Sequence, residues 1–289
     1  MIIMKIQGGL GNQLFQYATG RRVAMDRQAP LKLDLSWYWQ NQARLCSLLC
    51  FNICAEEASA EDIAMTRGKR RDKETHQLKL AKPYYHRPWI RQRGRKFDAN
   101  ILDVQIPVYL DGYWQSEKYF ATIEPVLRQE LTVTVPPDAQ NQAMAHKICQ
   151  HNAISIHLRR GDYVSSPQAS KRHGTCSLAY YRRAIDTLAE LIDAPHFFVF
   201  SDDMAWVQEN LVSDYPTTYV AHNGWGKDFE DLRLMSLCQH HIIANSTFSW
   251  WGAWLGVNPQ KIVIAPQTWL TDPYHDSRYI IPATWLQLP

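Results

Sequence analysis

Ala153-Ile154-Ser155-Ile156-His157-Leu158-Arg159-Arg160-Gly161-Asp162-Tyr163 is the stretch on which the reading of the whole chain turns. Ile154, Ile156 and Leu158 alternate with smaller or polar residues, the period of two expected of a strand. Ala153 to Leu158 is therefore expected to be a buried strand, and His157, Arg159, Arg160 and Asp162 fall where it runs out. Arginine offers a planar fork of donors matched to phosphate or carboxylate oxygens, and two in succession reach both sides of a diphosphate. The plainer alternative is a surface ion pair of Arg159 or Arg160 with Asp162.

The sequence that follows favours the first alternative. Strand-like runs at 197–200, 217–221, 241–244 and 261–265 are separated by helical stretches. In the first of these Ser177 reads as a cap, with Leu178, Tyr181, Ile185, Leu188 and Ile192 spaced by three and four. Such alternation specifies a doubly wound parallel sheet, whose ligands bind at the C-terminal ends of the strands. Those ends carry Arg159 and Arg160, then Ser201-Asp202-Asp203, then His222-Asn223, then Asn245-Ser246-Thr247. An ionised Asp202 or Asp203 can accept the paired N–H donors of a guanine edge; helix capping by Asp202 is the duller reading. Asn245-Ser246-Thr247-Phe248-Ser249 precedes the apolar run Trp250 to Leu255, so hydroxyls and unpaired amides meet at a helix start suited to a phosphate. Trp250, Trp251 and Trp254 read as core.

Toward the N-terminus, Ile2 to Ile6 reads as a buried strand, Gln7 to Gln13 as a tight glycine loop, Leu14 to Arg27 as a helix and Leu31 to Leu35 as the next strand. This is a nucleotide-fold opening. It lacks the Gly-Lys-Ser/Thr of a P-loop, and Leu14 stands where a dinucleotide fingerprint has its third glycine. Asp34 sits near where a ribose-binding acid is expected, with a helix cap or turn for the Ser36 segment as the duller reading. Residues 36 to 100 are poorly periodic and rich in aromatics. Asp111 to Phe120 leaves the strand-like run Pro107 to Leu110 with turn, aromatic and charged residues. Pro136-Pro137-Asp138 is a candidate linker, and the division expected is 1–150 and 151–289.

With 289 residues, 46% of them hydrophobic, the chain can bury a substantial core. Its net charge is only +3, yet twelve of its 31 basic residues lie between Arg67 and Lys96, against Asp72 and Glu74. A solvated face is one reading of that run and contact with an anionic membrane surface another; no base-stacking module points to nucleic acid. Six cysteines are too sparse for a disulfide scaffold. Cys46, Cys50 and Cys54 recur every four residues, as on one helix face. No signal peptide and no apolar run near 18 residues is evident, which leads us to expect a cytoplasmic protein.

Taken together, Gly8 to Ala18, His157 to Tyr163, Phe200 to Asp203 and Asp231 to Trp251, with Gly112 to Phe120 beside them, resemble the bacterial α-1,2-fucosyltransferases. The resemblance spans nearly the whole chain in family order. It implies a GT-B-type fold of two facing Rossmann-like domains, the second binding GDP-fucose and the first on the acceptor side. It also implies inverting transfer of fucose to the 2-hydroxyl of a terminal galactose, without a metal or other cofactor; the expected cytoplasmic location and the basic segment add O-antigen or similar surface-glycan synthesis as the setting. The galactose-terminated acceptor would be an oligosaccharide or a lipid-linked glycan, with peripheral contact at the inner membrane face through 67–96. Carried over by residue, Arg159 and Arg160 neutralise the departing phosphate and His157 with Asp202 or Asp203 lies near the guanosine. Ser246 and Thr247 lie near the phosphates, with Asn245, Phe248 and Ser249 also in the donor site, and Gly9, Gly11 and Asn12 stand at the donor–acceptor cleft. Asp162 is a candidate base or an orienter of the arginines; Asp34, Asp111 and Glu117 are other candidates, and acceptor contacts are not legible. Two rivals stand beside this reading: α-1,6 transfer from the same donor, and a non-catalytic nucleotide-sugar-binding protein.

Overall fold

The computed structural model describes residues 1–41, 44–67, 83–161, 174–271 and 278–289. The chain divides into two compact units, Met1–Thr134 with Arg278–Ile280, and Val135–Ser277 with Ile281–Pro289. The break falls at 134/135 rather than at the expected 150. The helix Ala139–Cys149 is the reason: its Ile148, with Met144 and Ala145, joins the core of the second unit.

In the first unit the strands β1 (Ile2–Lys5), β2 (Leu31–Asp34), β3 (Glu56–Glu57), β4 (Trp89–Arg91) and β5 (Val108–Asp111) form a parallel sheet in the order β3-β2-β1-β5-β4. The first helix, Leu10–Asp26, begins four residues before its expected start. Gly8 makes the turn at φ +85°, a conformation that favours glycine. Gly9 O then accepts from Asn12 N and Gln13 N at 2.9 and 3.1 Å, so Leu10 to Gln13 form the first helical turn instead of a loop. Gln13 and Gln16, fully buried, tie that turn down. Gln13 Nε2 donates to Gly8 O at 3.1 Å and to Leu45 O at 3.0 Å, and Gln16 Nε2 donates to Gly112 O at 3.2 Å.

Cys46, Cys50 and Cys54 do not share a helix face. Ser47–Cys50 is a single 3-10 turn, after which Phe51 bridges to Val133. A spacing of four aligns residues only where the helix continues.

The second unit holds β6 (Asn152–Leu158), β7 (Pro195–Ser201), β8 (Thr217–Val220), β9 (His240–Ile242), β10 (Val263–Pro266) and β11 (Leu286–Leu288), again all parallel, in the order β11-β10-β9-β6-β7-β8. The period-two pattern distributes its side chains as expected. Ile154, Ile156, Leu158, Phe197 and Val199 pack on one face with Tyr181, Ile185 and Leu188 of the helix Leu178–Leu191. Ala153, Phe198 and Phe200 pack on the other with Ile148, Leu234 and Met235. Ser177 caps the helix Leu178–Leu191 by accepting from Tyr180 N at 3.1 Å.

Trp250, Trp251 and Trp254 are buried in the helix Thr247–Leu255. Each such side chain removed from water contributes on the order of 2–3 kcal/mol. Lys261 Nζ closes the end of that helix, donating to Ala253 O, Trp254 O and Gly256 O at 2.8, 3.1 and 2.7 Å.

Candidate functional site

A doubly wound sheet opens a crevice where its strand order reverses. From β6 the chain winds outward through β7 and β8, then returns to place β9 on the other flank of β6, with Ile156 beside Ile242. The reversal lies between β6 and β9. Their exits are His157 to Arg160 and Ala244 to Thr247, the two stretches that the sequence marks most strongly.

At the β6 exit, two carboxylates from the β7 exit hold two arginines. Arg159 Nη1 lies 2.9 Å from Asp202 Oδ2, and Arg160 N donates to Asp202 Oδ1 at 2.8 Å. Arg160 Nε donates to Asp203 Oδ2 at 3.2 Å, while its guanidinium carbon lies 3.4 Å from the centroid of the Trp206 ring. This stacking on an aromatic face fixes the plane of the fork. Asp203 also caps the helix Met204–Asn210, accepting from Trp206 N at 3.4 Å. The cap expected of Asp202 is thus made by Asp203. Both carboxylates are engaged by the arginine pair, an arrangement that serves cation placement directly.

Arg159 and Arg160 keep a quarter and a fifth of their side-chain surface. Two such charges meeting an anion at about 4 Å are each worth roughly 4 kcal/mol at an effective dielectric near 20. Gly161 completes the exit because a Cβ there would lie 2.5 Å from Asp202 Oδ2.

His157 is 4% exposed and packs its ring 5.5 Å from that of Phe248. Burial pushes its pKa down to about 4, against the opposing pull of Asp202, so the imidazole is neutral at ordinary pH. Its Nδ1 is buried without a hydrogen-bond partner among the described residues.

At the β9 exit, Ser246 is the N-cap of the helix Thr247–Leu255, its Oγ accepting from Phe248 N at 3.3 Å. Asn245 Nδ2 donates to Gly174 O and Trp269 O, each at 3.3 Å, and Ser249 Oγ to Ser246 O at 3.3 Å. Asn245 and Ser249 are buried framework, whereas Thr247 and Phe248 keep some accessible surface. The positive end of the helix and the two arginines thus share one switch point.

The structure brings together His157, Arg159, Arg160, Asp202, Asp203 and Asn245 to Ser249. Asp162 lies outside the described residues, as does half of the basic segment, 68–82. Gly9, Gly11 and Asn12 belong to the first unit, where the strand order reverses between β1 and β5. There Asn12 Oδ1 accepts from Gln115 Nε2 at 2.8 Å, and Lys5 pairs with Asp111 at 3.4 Å. Asp34 is buried and accepts from Ser36 N at 2.9 Å and from the Tyr109 hydroxyl, which is a turn role. Glu117 is half-buried, and desolvation raises its pKa. Trp206 and Gln115 were missed in the sequence. An aromatic four residues after Asp202 was the available signal for Trp206; for Gln115 there was only its place after a strand.

The profile of Glycosyl transferase family 11 matches residues 1–288. An Escherichia coli α-1,2-colitosyltransferase is 33% identical over 100% of this chain and 99% of its own length. The Escherichia coli O-antigen biosynthesis glycosyltransferase WbnK is 32% identical over 91% and 93%. Mouse galactoside 2-α-L-fucosyltransferase Sec1 is 23% identical over 95% and 69%. Among solved structures, the α-1,6-fucosyltransferase NodZ soaked with GDP-fucose aligns with a TM-score of 0.50 at 15% identity, covering 91% of this chain and 94% of that one. A mutant of Arabidopsis thaliana FUT1 in complex with GDP aligns at 0.50 and 14% identity, covering 95% and 72%. These likenesses identify the paired α/β units as the GT-B-type fold expected from the sequence. The chain belongs to glycosyl transferase family 11.

Proposed function

We propose that this glycosyltransferase moves L-fucose from GDP-fucose to the 2-hydroxyl of a terminal β-galactoside, with inversion, in the synthesis of a bacterial O-antigen. The observation that carries the reading is the arginine pair at the switch point, held by Asp202 and Asp203 beside a helix N-terminus. In such a transfer the acceptor oxygen bonds to the anomeric carbon. The bond from that carbon to the β-phosphate oxygen breaks, its electron pair stays with the departing GDP, and the hydroxyl proton passes to a base or to solvent. Positive charge aimed at the departing phosphate lowers the barrier, and arginines supply it without a metal. Neutral His157, packed on Phe248, backs the nucleoside side of the site, and Thr247 with Phe248 borders the phosphates.

The 33% identical colitosyltransferase supports a second reading of the donor. Colitose is fucose without its 3-hydroxyl, so a site that hydrogen-bonds this group rejects the deoxy sugar by several orders of magnitude. Product linkage and turnover with GDP-fucose and GDP-colitose on one β-galactoside test both. Faster turnover of GDP-colitose would overturn the fucose assignment, and a product substituted elsewhere than at the 2-hydroxyl would overturn the linkage.

The acceptor is proposed to be lipid-linked and met at the inner membrane face. Support comes from Arg91, Arg93 and Lys96, exposed on and just after edge strand β4. Reversing these three charges is expected to abolish binding to anionic vesicles while sparing turnover of a soluble acceptor. Unchanged vesicle binding would remove the membrane proposal.

A further inference from the structure

At the exit of β8 the chain runs His222-Asn223-Gly224-Trp225-Gly226-Lys227 before the helix Asp228–Leu237 begins. Both feet of this loop are tied down. Asn223 Nδ2 donates to Asn141 Oδ1 at 2.9 Å and to Asp231 Oδ1 at 2.8 Å, while Asn223 Oδ1 accepts from Asn141 Nδ2 at 2.9 Å. Lys227 Nζ pairs with Asp138 at 2.8 Å. Gly226 turns at φ +84°, which favours glycine, and Lys227 N donates to Gly224 O at 3.1 Å. Between these anchors Trp225 stands 74% exposed, and its indole makes no hydrogen bond or ring contact among the described residues. A ring this exposed adds little to the core and leaves its face open to a ligand.

The sheet places this loop relative to the arginines. His157 lies beside Phe200, and Phe200 beside Val220. The β8 exit therefore stands two interstrand spacings, about 10 Å, from the β6 exit, with Asp202 and Asp203 between. That separation is comparable to the reach from a diphosphate across a ribose to its base. In the opposite direction, a cavity of about 140 Å³ opens beyond Asn245, lined by Thr175, Cys176, Gln267 and Thr268. Tyr180, its one aromatic among the described residues, is buried with its hydroxyl donating to Ile243 O at 2.7 Å, and gives no free ring face.

We propose that Trp225 is the stacking platform for the purine base of the nucleotide-sugar donor. The proposal rests on the donor reading above and adds to it the residue that takes the base and the direction in which the nucleotide lies, from β6 toward β8. Stacking on an aromatic is tolerant of which base it receives, so Trp225 supplies affinity for a nucleobase rather than the choice of guanine. The two glycines beside it let the ring adjust to the base while the pinned feet keep it at the strand edge.

Calorimetric titration of GDP and of inorganic pyrophosphate into the full chain and into Trp225→Ala and Trp225→Phe tests this. Loss of a base–aromatic stack weakens binding by roughly five- to 150-fold. GDP is expected to bind Trp225→Ala about tenfold more weakly and to recover most of its affinity in Trp225→Phe, while pyrophosphate, which has no base, binds all three alike. Unchanged GDP affinity in Trp225→Ala would overturn the proposal, as would equal weakening of GDP and pyrophosphate, which would place the effect at the phosphates. Unchanged GDP affinity with a raised acceptor KM would assign Trp225 to the acceptor instead. GDP failing to bind the unaltered chain would overturn the donor reading, and this proposal with it.

Discussion

Gly161→Ala is the sharpest perturbation that the site offers, because it adds one methyl group and no charge. The new Cβ would lie 2.5 Å from Asp202 Oδ2 and 3.0 Å from its Cγ, about 1 Å inside ordinary contact. The carboxylate has to give, and it is held at both oxygens: Arg160 N at 2.8 Å on one, Arg159 Nη1 at 2.9 Å on the other. Moving it by about 1 Å carries at least one of these bonds past hydrogen-bonding distance. A charge-assisted bond is worth about 1.5–3 kcal/mol. With a quarter of the Asp202 side chain exposed, solvent screening cuts this to roughly 1–2 kcal/mol, a fall in Tm of about 2–8 °C for a chain of this size. Catalysis is expected to suffer more than stability, since a misplacement of about 1 Å costs on the order of a hundredfold in rate. Thermal melting and initial-rate GDP release measure the two effects. In Asp202→Gly, which removes both the clash and the clamp, adding Gly161→Ala is expected to cost little more, a non-additive cycle for neighbours sharing one contact. Wild-type turnover by Gly161→Ala would refute the idea that Asp202 positions the arginines.

Lys261→Ala leaves three carbonyls at the end of the helix Thr247–Leu255 without their shared donor. A loss of about 2 kcal/mol is expected by denaturant melting, with GDP affinity little changed. Burial raises the Asp231 carboxyl to about 7. A raised acid pKa means that the folded state holds the proton longer, so Asp231 lowers stability progressively as pH rises from about 4 through 7, and Asp231→Asn should flatten that slope. His157, pushed down to about 4, acts in the opposite sense. Its stabilising effect is present above about 6.5, the ordinary histidine value, and is lost as pH falls toward 4, so melting of His157→Gln should be less acid-sensitive. His157 therefore gives no limb between pH 5 and 8 in the rate profile.

The alternation of Ile154, Ile156 and Leu158 with Ser155 and His157 was enough to locate β6 and its exit, because a period of two is a local property of the backbone. The doubly wound order followed from strands interleaved with helices, and the two ends of the switch point were the two most polar exits. Local spacing misled where a distant partner decides the outcome. The helix at Leu10 starts early because buried Gln13 and Gln16 reach carbonyls far along the chain. The four-residue spacing of Cys46, Cys50 and Cys54 has no continuing helix beneath it. Asp203, not Asp202, became the cap because Asp202 is turned back to the β6 exit. Trp206 under Arg160 and Gln115 on Asn12 are contacts between separate elements, which no single window of sequence contains.

The most direct test of the phosphate clamp is the rate of GDP release from GDP-fucose with and without a β-galactoside, in the presence of EDTA, for the unaltered chain and Arg160→Ala. Arg160 stacks on Trp206 at the surface and its partner Asp203 keeps about a third of its side-chain area, so the variant should remain folded. Release that requires the acceptor, persists in EDTA and falls by roughly a hundred- to a thousandfold in Arg160→Ala is the predicted result. Turnover by the variant within a few fold of the unaltered chain would contradict it.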